Sequence, residues 1–378
     1  MIHHLRSVLP RIVLVAGTVV LSAKVDHGLP PWTALGFLIG TLLGQEPLSD
    51  LWVLLTHRLG GGRFLGVSYG CGRVLWQGTV AGVPVSLGLR PTGGPRLDWG
   101  LLPVRAPRLR LWACSVGRLA VHGGLGAWLA LSFTGAARGI GLGLLSTLVL
   151  LVLLGAPSPL NSIWAVLVLP FRPRALEHHL WSTRDITAER LLWRGRIPEA
   201  RAVLDGPAPA RAVRTRLTAA GVALAEGRHD EADRIIGLAL AQGCDPREAH
   251  AVAAAVIVCR SDSGELTPAT AGALLAPVLE VFGHDERAKL RHVQGAADLA
   301  RFNGDPEAAV RAARRHAVDA RLSPHWRAHA GCTLAAALIA TGRPERAGEA
   351  LARARRECPG LTRIADVERM LERPVEVR

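Results

Sequence analysis

The chain has 378 residues, with 45 Lys and Arg against 31 Asp and Glu, a formal net charge of +14, and 49% apolar residues. That apolar content excludes disorder as the main state, and the length suits two or three units rather than one. The charge is uneven: residues 1–175 carry 15 basic and 4 acidic side chains, leaving 30 and 27 to residues 176–378, and a basic surplus confined to an acid-poor, Leu/Val/Gly-rich half marks positive-inside membrane segments and excludes nucleic acid as the partner.

In chain order, the first apolar stretch, residues 12–22, is short and preceded by Arg6, Pro10 and Arg11. Further apolar segments follow it, so it reads as a retained membrane helix rather than a cleaved signal peptide. Residues 32–55 form a longer stretch broken by QEPLSD at 45–50. Residues 112–133 contain Arg118 and His122, and residues 140–156 contain no charge. A helix needs about 20 mostly apolar residues to cross a bilayer core, so about four spans are predicted. The connection 56–111 holds Arg58, Arg63, Arg73, Arg90, Arg96, Arg105, Arg108 and Arg110 against one acid, Asp98, whereas the link near 135–139 has Arg138 alone. Arg-rich flanks stay inside. Both termini, this connection and Arg172 with Arg174 are therefore expected on the cytoplasmic side of a bacterial cytoplasmic membrane, with the lipid bilayer as the first partner. The apolar piece 163–171 is too short to span and reads as re-entrant or interfacial. Within the connection, Val83, Val85, Leu87 and Leu89 alternate strictly among frequent glycines, which predicts a small β-hairpin at the membrane face.

Beyond Arg174 the composition turns to Ala, Arg, Glu and Leu with helical periodicity, and it repeats. Gly195, Gly227, Gly304 and Gly342 each have Ala five residues later (Ala200, Ala232, Ala309, Ala347) and seven residues earlier (Ala188, Ala220, Ala297, Ala335). Two helices approach closely only where small side chains meet, and a turn residue must end the first of them. The segments GRIPEA, GRHDEA, GDPEAA and GRPERA that follow each glycine carry the start signals of the next helix. This pattern resembles tetratricopeptide repeats over residues 184–360. The glycine spacings are 32, 77 and 38 residues, and the gap of 77 has room for one degenerate repeat around residues 249–279. The six cysteines, Cys71, Cys114, Cys244, Cys259, Cys332 and Cys358, stand at wide, unrelated spacings, which predicts buried thiols rather than a disulfide or zinc framework. Lys24 and Lys289 are the only lysines, the codon bias of a high-GC bacterial genome.

The order of a span, then THRLGGGRFLGVSYGCGRVLW, then GVPVSLGLRPTGG, then RLWACSVGRLAVHGGLGAWLAL resembles the core of the site-2 protease family of intramembrane zinc metalloproteases. That resemblance implies H-E-x-x-H on the first core helix and an Asp ligand on a later one. The matching region reads LLGQEPLSDLWVLLTHRLGGGRF, and no register gives two histidines around a glutamate. Glu46 and Asp50 stand at i, i+4 as low-grade substitutes for ligands, but Pro47 lies where the general base belongs. No acid occurs between Asp98 and Glu177; Asn161 and Pro170 remain of the signature that carries the aspartate. A zinc hydrolase needs about three protein ligands, an open position and a base, so the motif is read as lost, with no catalytic residue, metal or cofactor.

Other ionisable groups have plainer readings. His325 and His329, at i, i+4 around Trp326, are expected as surface or packing histidines, and His178-His179 as a polar juxtamembrane pair. Arg118 and His122 share one helix face, where they either line a bundle interior or, for Arg118, snorkel to the cytoplasmic end. The expected fold is mainly α: a multi-span membrane domain with a small β-hairpin, residues 1–174, followed by a cytoplasmic tetratricopeptide-like α-solenoid, residues 175–378. The expected function is a non-catalytic integral membrane protein with a pseudoprotease-like core that presents the repeats to a protein or peptide partner. The alternatives are an active membrane zinc metallopeptidase with an atypical ligand set, and a small-solute channel, which the lack of repeated spans disfavours.

Overall fold

The computed structural model of the chain describes residues 30–45, 47–155, 162–172, 176, 180–205, 213–244, 246–281 and 295–372. It divides into two units, Met1–Arg63 with Leu101–Glu177, and Phe64–Gly100 with His178–Arg378. The second junction falls three residues beyond the expected 174/175. The larger difference is the hairpin, expected with the membrane helices, which groups with the C-terminal ones.

In the first unit, the apolar stretch 32–55 is two helices, α1 (Pro31–Gln45) and α2 (Pro47–Thr56). Pro47 opens the second, where a missing N–H costs nothing. After the hairpin come α3 (Pro107–Ser132), α4 (Gly135–Gly155) and the short α5 (Ser162–Leu167). The expected span at 12–22 lies outside the described residues. Among those described, α4 alone is long and apolar enough to cross a membrane, and α1 is a shorter apolar helix. The other expected span, 112–133, lies within α3, whose basic and glycine content keeps it below that threshold.

Small residues set the packing here. A Cβ on Gly36 would lie 2.0 Å from the Ala136 carbonyl oxygen, one on Gly40 2.2 Å from that of Ile140, and one on Gly44 2.1 Å from Thr147 Oγ1. In return, a Cβ on Gly139 would meet the Thr33 carbonyl at 2.0 Å and one on Gly143 that of Phe37 at 2.4 Å. Glycine at every fourth position of both helices lets the backbones touch. The contacts rise together along both chains, so α1 and α4 run parallel. Against α3 the order reverses, with Gly123 near Leu148, Gly126 near Leu145 and Gly141 near Leu129 and Ala130. The outward faces stay apolar: Trp32, Leu35, Ile39 and Leu42 on α1, and Val149, Val152 and Leu153 on α4, are exposed.

The second unit begins with β1 (Gly62–Val80) and β2 (Val83–Leu101), a two-stranded antiparallel hairpin whose first residues still belong to the other unit. Its two-residue turn has Ala81 at φ +50° and Gly82 at φ +79°, the mirror-image geometry that matches strand twist. The strand expected from Val83, Val85, Leu87 and Leu89 is present, but Ser86 and Pro84 are the buried side while Leu87 and Leu89 are exposed.

Five helix pairs follow among the described residues: α6 (Thr183–Trp193) with α7 (Ile197–Leu204), α8 (Val213–Ala225) with α9 (His229–Ala241), α10 (Pro246–Ser263) with α11 (Pro268–Glu280), α12 (Gly295–Phe302) with α13 (Pro306–His316), and α14 (Pro324–Ala340) with α15 (Pro344–Glu357). A last helix, α16 (Arg363–Glu372), ends the unit. Each pair turns on a glycine at positive φ: Gly195, Gly227, Gly264, Gly304 and Gly342. There the amide of the next residue bonds the carbonyl five positions back, as Arg196 does to Leu191 at 2.9 Å and Arg343 to Leu338 at 2.9 Å, the closure that a left-handed glycine permits. The eight alanines singled out around four of these glycines are all buried, none more than 1% exposed.

The gap of 77, with room for a further pair around residues 249–279, holds α10 and α11. The second of these starts four residues after the glycine instead of two, so Ala271 rather than residue 269 takes the buried alanine's place.

The first helices of the pairs touch in succession, α6 to α8, α10, α12 and α14, and α14 also touches α6. That row therefore closes on itself. One core joins both ends of it, with Leu192 and Ile197 in the same cluster as Leu351 and Ile364.

Candidate functional site

Of the two substitute metal positions, Glu46 lies outside the described residues, and Asp50 is on α2 with its side chain not described. Among the described residues no group of three or more His, Cys, Asp or Glu side chains is arranged to hold a metal ion. Of the thiols expected to be buried, Cys71 and Cys114 are only half-buried. Cys259, Cys332 and Cys358 are buried, and burial pushes the Cys332 and Cys358 thiols up to about 12, far from the thiolate that chemistry requires.

In the first unit, Arg118 and His122 both face the bundle. His122 is buried where α1, α3 and α4 meet, its Nε2 3.0 Å from the Leu144 carbonyl and 3.1 Å from Thr147 Oγ1, beside Gly44. Arg118 donates to Ser162 Oγ at 2.9 Å, and Arg108 donates to the Leu169 carbonyl at 2.8 Å. The two arginines thus pin both ends of the 163–171 stretch to α3. Each of these side chains bonds a partner within the unit, and the arrangement orients helices.

The second unit holds a denser polar centre on its inner row of helices. Asp262 at the end of α10, Asp298 on α12, Arg301 on α12 and Arg363 at the start of α16 meet there, with side chains between 0% and 9% exposed. Arg363 Nε donates to Asp262 Oδ2 at 2.8 Å, its Nη2 to Thr333 Oγ1 at 3.0 Å and Asp298 Oδ1 at 3.4 Å, and its Nη1 to the His329 carbonyl at 3.1 Å. Arg301 bonds Asp262 Oδ1 at 2.7 Å, and Thr333 bonds Asp298 Oδ2 at 2.9 Å. Burial opposes ionisation of Asp262, but the two guanidiniums outweigh it and hold the carboxyl below the usual range. Burial likewise opposes the charge on Arg363, and the two carboxylates more than offset that. Two acids and two guanidiniums match in number, the condition on which charge is tolerated inside a protein, although burial pushes the Asp298 carboxyl up. It has neither an open position nor a free base. What it does is hold α16.

The hairpin is seated on the same unit by backbone and aromatic contacts. Arg190 on α6 donates twice to the Phe64 carbonyl, at 2.8 and 2.6 Å. Gly66 lies so close to Trp193 that a Cβ would be 2.6 Å from its ring, and Gly100 meets Trp181 in the same way at 2.9 Å. At the other end of the helical row, the Ala320 amide donates to the Gly72 carbonyl at 2.8 Å, and the buried Arg327 bonds Gln77, Glu357 at 2.7 Å and the Leu322 carbonyl at 2.5 Å. These contacts are why the hairpin groups with the C-terminal helices. Beside Arg327, His325 and His329 are not surface groups: they are 1% and 0% exposed, their rings 4.8 Å apart, and none of their four ring nitrogens has a hydrogen-bond partner. Burial drives the His325 pKa down to about 4 and that of His329 well below its ordinary value.

No protein-family model, curated protein or solved structure matches the chain. The likenesses to the site-2 protease core and to tetratricopeptide repeats therefore stand on the residues quoted above.

Sequence reasoning passed over two features of this geometry. The every-fourth-residue glycines at Gly36, Gly40 and Gly44, and at Gly135, Gly139 and Gly143, were available as a helix-packing signal. The centre around Arg363 had no such signal, because its four charges come from three helices up to 101 residues apart. His178-His179 and Asn161 lie outside the described residues.

Proposed function

We propose that this chain is a non-catalytic integral membrane protein: a pseudoprotease-like helical core anchors a tetratricopeptide-like α-solenoid, which offers an interaction surface to a protein or peptide in the cytoplasm. The observation that carries the membrane half is the α1–α4 pair. Its inner faces are reduced to glycine while Trp32, Leu42 and Leu153 stand 67%, 55% and 71% exposed on the outside. Water would penalise that outer surface, and hydrocarbon does not. The parallel run of α1 and α4 also supports four crossings, because the second and fourth spans of such a chain must run in the same direction. For the other half, five glycine-turned pairs, four of them with buried alanines at fixed offsets, support a repeat array. The loss of H-E-x-x-H and of any acid between Asp98 and Glu177 supports a core that has given up hydrolysis.

Two measurements test this reading. Membranes from cells making the full chain, washed with alkaline carbonate and then high salt, should retain it, and release into the wash would refute the anchor. Protein purified without chelators should carry no stoichiometric zinc. Zinc that disappears in a Glu46→Ala, Asp50→Ala variant would restore the metallopeptidase alternative.

A further inference from the structure

An array of helix pairs ordinarily ends with a helix that covers only the last pair, because each repeat contacts its neighbours alone. The segment after α15 behaves differently. Cys358 lies against the turn at Gly195, where a Cβ on that glycine would be 3.1 Å from its Cα, and the Thr362 amide donates to the Ala225 carbonyl at 3.0 Å. Arg363 then reaches Asp262 and Asp298. Residues 358–363 thus touch the first four pairs as well as the fifth.

The helix that follows presents Ile364 and Val367, both buried, and Leu371, partly buried, at i, i+3 and i+7, while Ala365 and Arg369 point outward. That is how an amphipathic helix lies in a groove. The groove has matching chemistry, since without Arg363 it would keep two carboxylates, Asp262 and Asp298, against the single guanidinium of Arg301.

We propose that the inner face of the repeat array is the partner-binding groove, and that residues 358–372 occupy it in cis as an autoinhibitory segment. The partner it fits is an amphipathic helix that places an arginine between Asp262 and Asp298, followed by apolar residues at the spacing of Ile364, Val367 and Leu371. This rests on the scaffold reading above, but its test is separate, since membrane retention is unaffected by what fills the groove.

The test uses the full chain in detergent and a fluorescent synthetic peptide of residues 358–372. Wild-type chain should not bind the peptide. A chain carrying Arg363→Gln and Val367→Gln, whose own segment is weakened, should bind it saturably, and a peptide with Arg363→Gln should bind at least tenfold more weakly. Amide exchange of the variant chain should speed up in α16 while α12 and α14 stay protected. Three results would each overturn the proposal: peptide binding to neither chain, equal binding to both, or loss of protection in α12 and α14 together with α16. The last would make the segment an integral part of the core.

Discussion

Arg363 shows how one side chain can tie distant parts of a sequence together. A buried ion pair is weak evidence for stability when intact, but removing one partner strands the other in a medium that cannot solvate it. Replacing Arg363 with Met leaves two buried carboxylates, Asp262 and Asp298, to share the one guanidinium of Arg301, with Thr333 as the other partner of Asp298. The seating of α16, read from the exchange rates of its amides, should weaken by about 3–5 kcal/mol. Adding Asp298→Asn should recover part of that loss, because only a balanced Asp262–Arg301 pair remains; a double variant worse than the single one would show that the charges are not coupled. The histidines of α14 act oppositely, since they are buried neutral with no partner. Their folded pKa values lie below the ordinary 6.5, so the unfolded chain binds more protons as pH falls. The stability they permit is complete above pH 6.5 and declines between 6.5 and about 4, by roughly 3 kcal/mol for His325 alone. Urea unfolding of the full chain at pH 7.5 and 4.5 measures this. A His325→Leu, His329→Leu variant should lose less on acidification than wild type, and an equal loss would place the proton uptake elsewhere.

At the scale of elements, the glycines divide into those that require their conformation and those that do not. Gly342 turns α14 into α15 at φ +70°, so Gly342→Ala should cost about 1–2 kcal/mol. Gly237, inside α9 with nothing near its missing Cβ, should gain about 0.5–1 kcal/mol on conversion to Ala. Thermal melting of both variants checks the pair, and equal shifts would contradict the assigned turns. Gly40→Leu should force α1 from α4 and cost about 1–3 kcal/mol or more, and Ala232→Leu or Ala347→Leu should do the same within a helix pair. What was readable beforehand follows from range. The Gly and Ala offsets that mark four helix pairs are local, and they proved to be turns and buried contacts. The pair around residues 249–279 was expected only in degenerate form, because two extra residues after Gly264 shift its alanine register. Alternation at Val83–Leu89 gave the strand but not its buried face, since which side of a hairpin is covered depends on α6 and α14, which lie far along the chain. Likewise His325 and His329 look like any i, i+4 pair until α14 is enclosed on all sides.

For the whole molecule, the account makes the Arg-rich connection and the repeats share one compartment, because α1 and α4 run parallel and each is followed by a basic flank: Arg58 and Arg63 after the first, Arg172 and Arg174 after the second. Moving charge across a bilayer is costly enough that such flanks fix orientation. The second unit receives chain from both places, as the hairpin Phe64–Gly100 and the helices from His178 onward belong to it together. A topology that put the two on opposite sides of a membrane would therefore be incompatible with the fold of that unit. Reporter fusions after Thr56, Gly135 and Arg174 measure this directly. The account predicts cytoplasmic, external and cytoplasmic signals in that order, and an external signal at Arg174, or the same signal at all three sites, would contradict it.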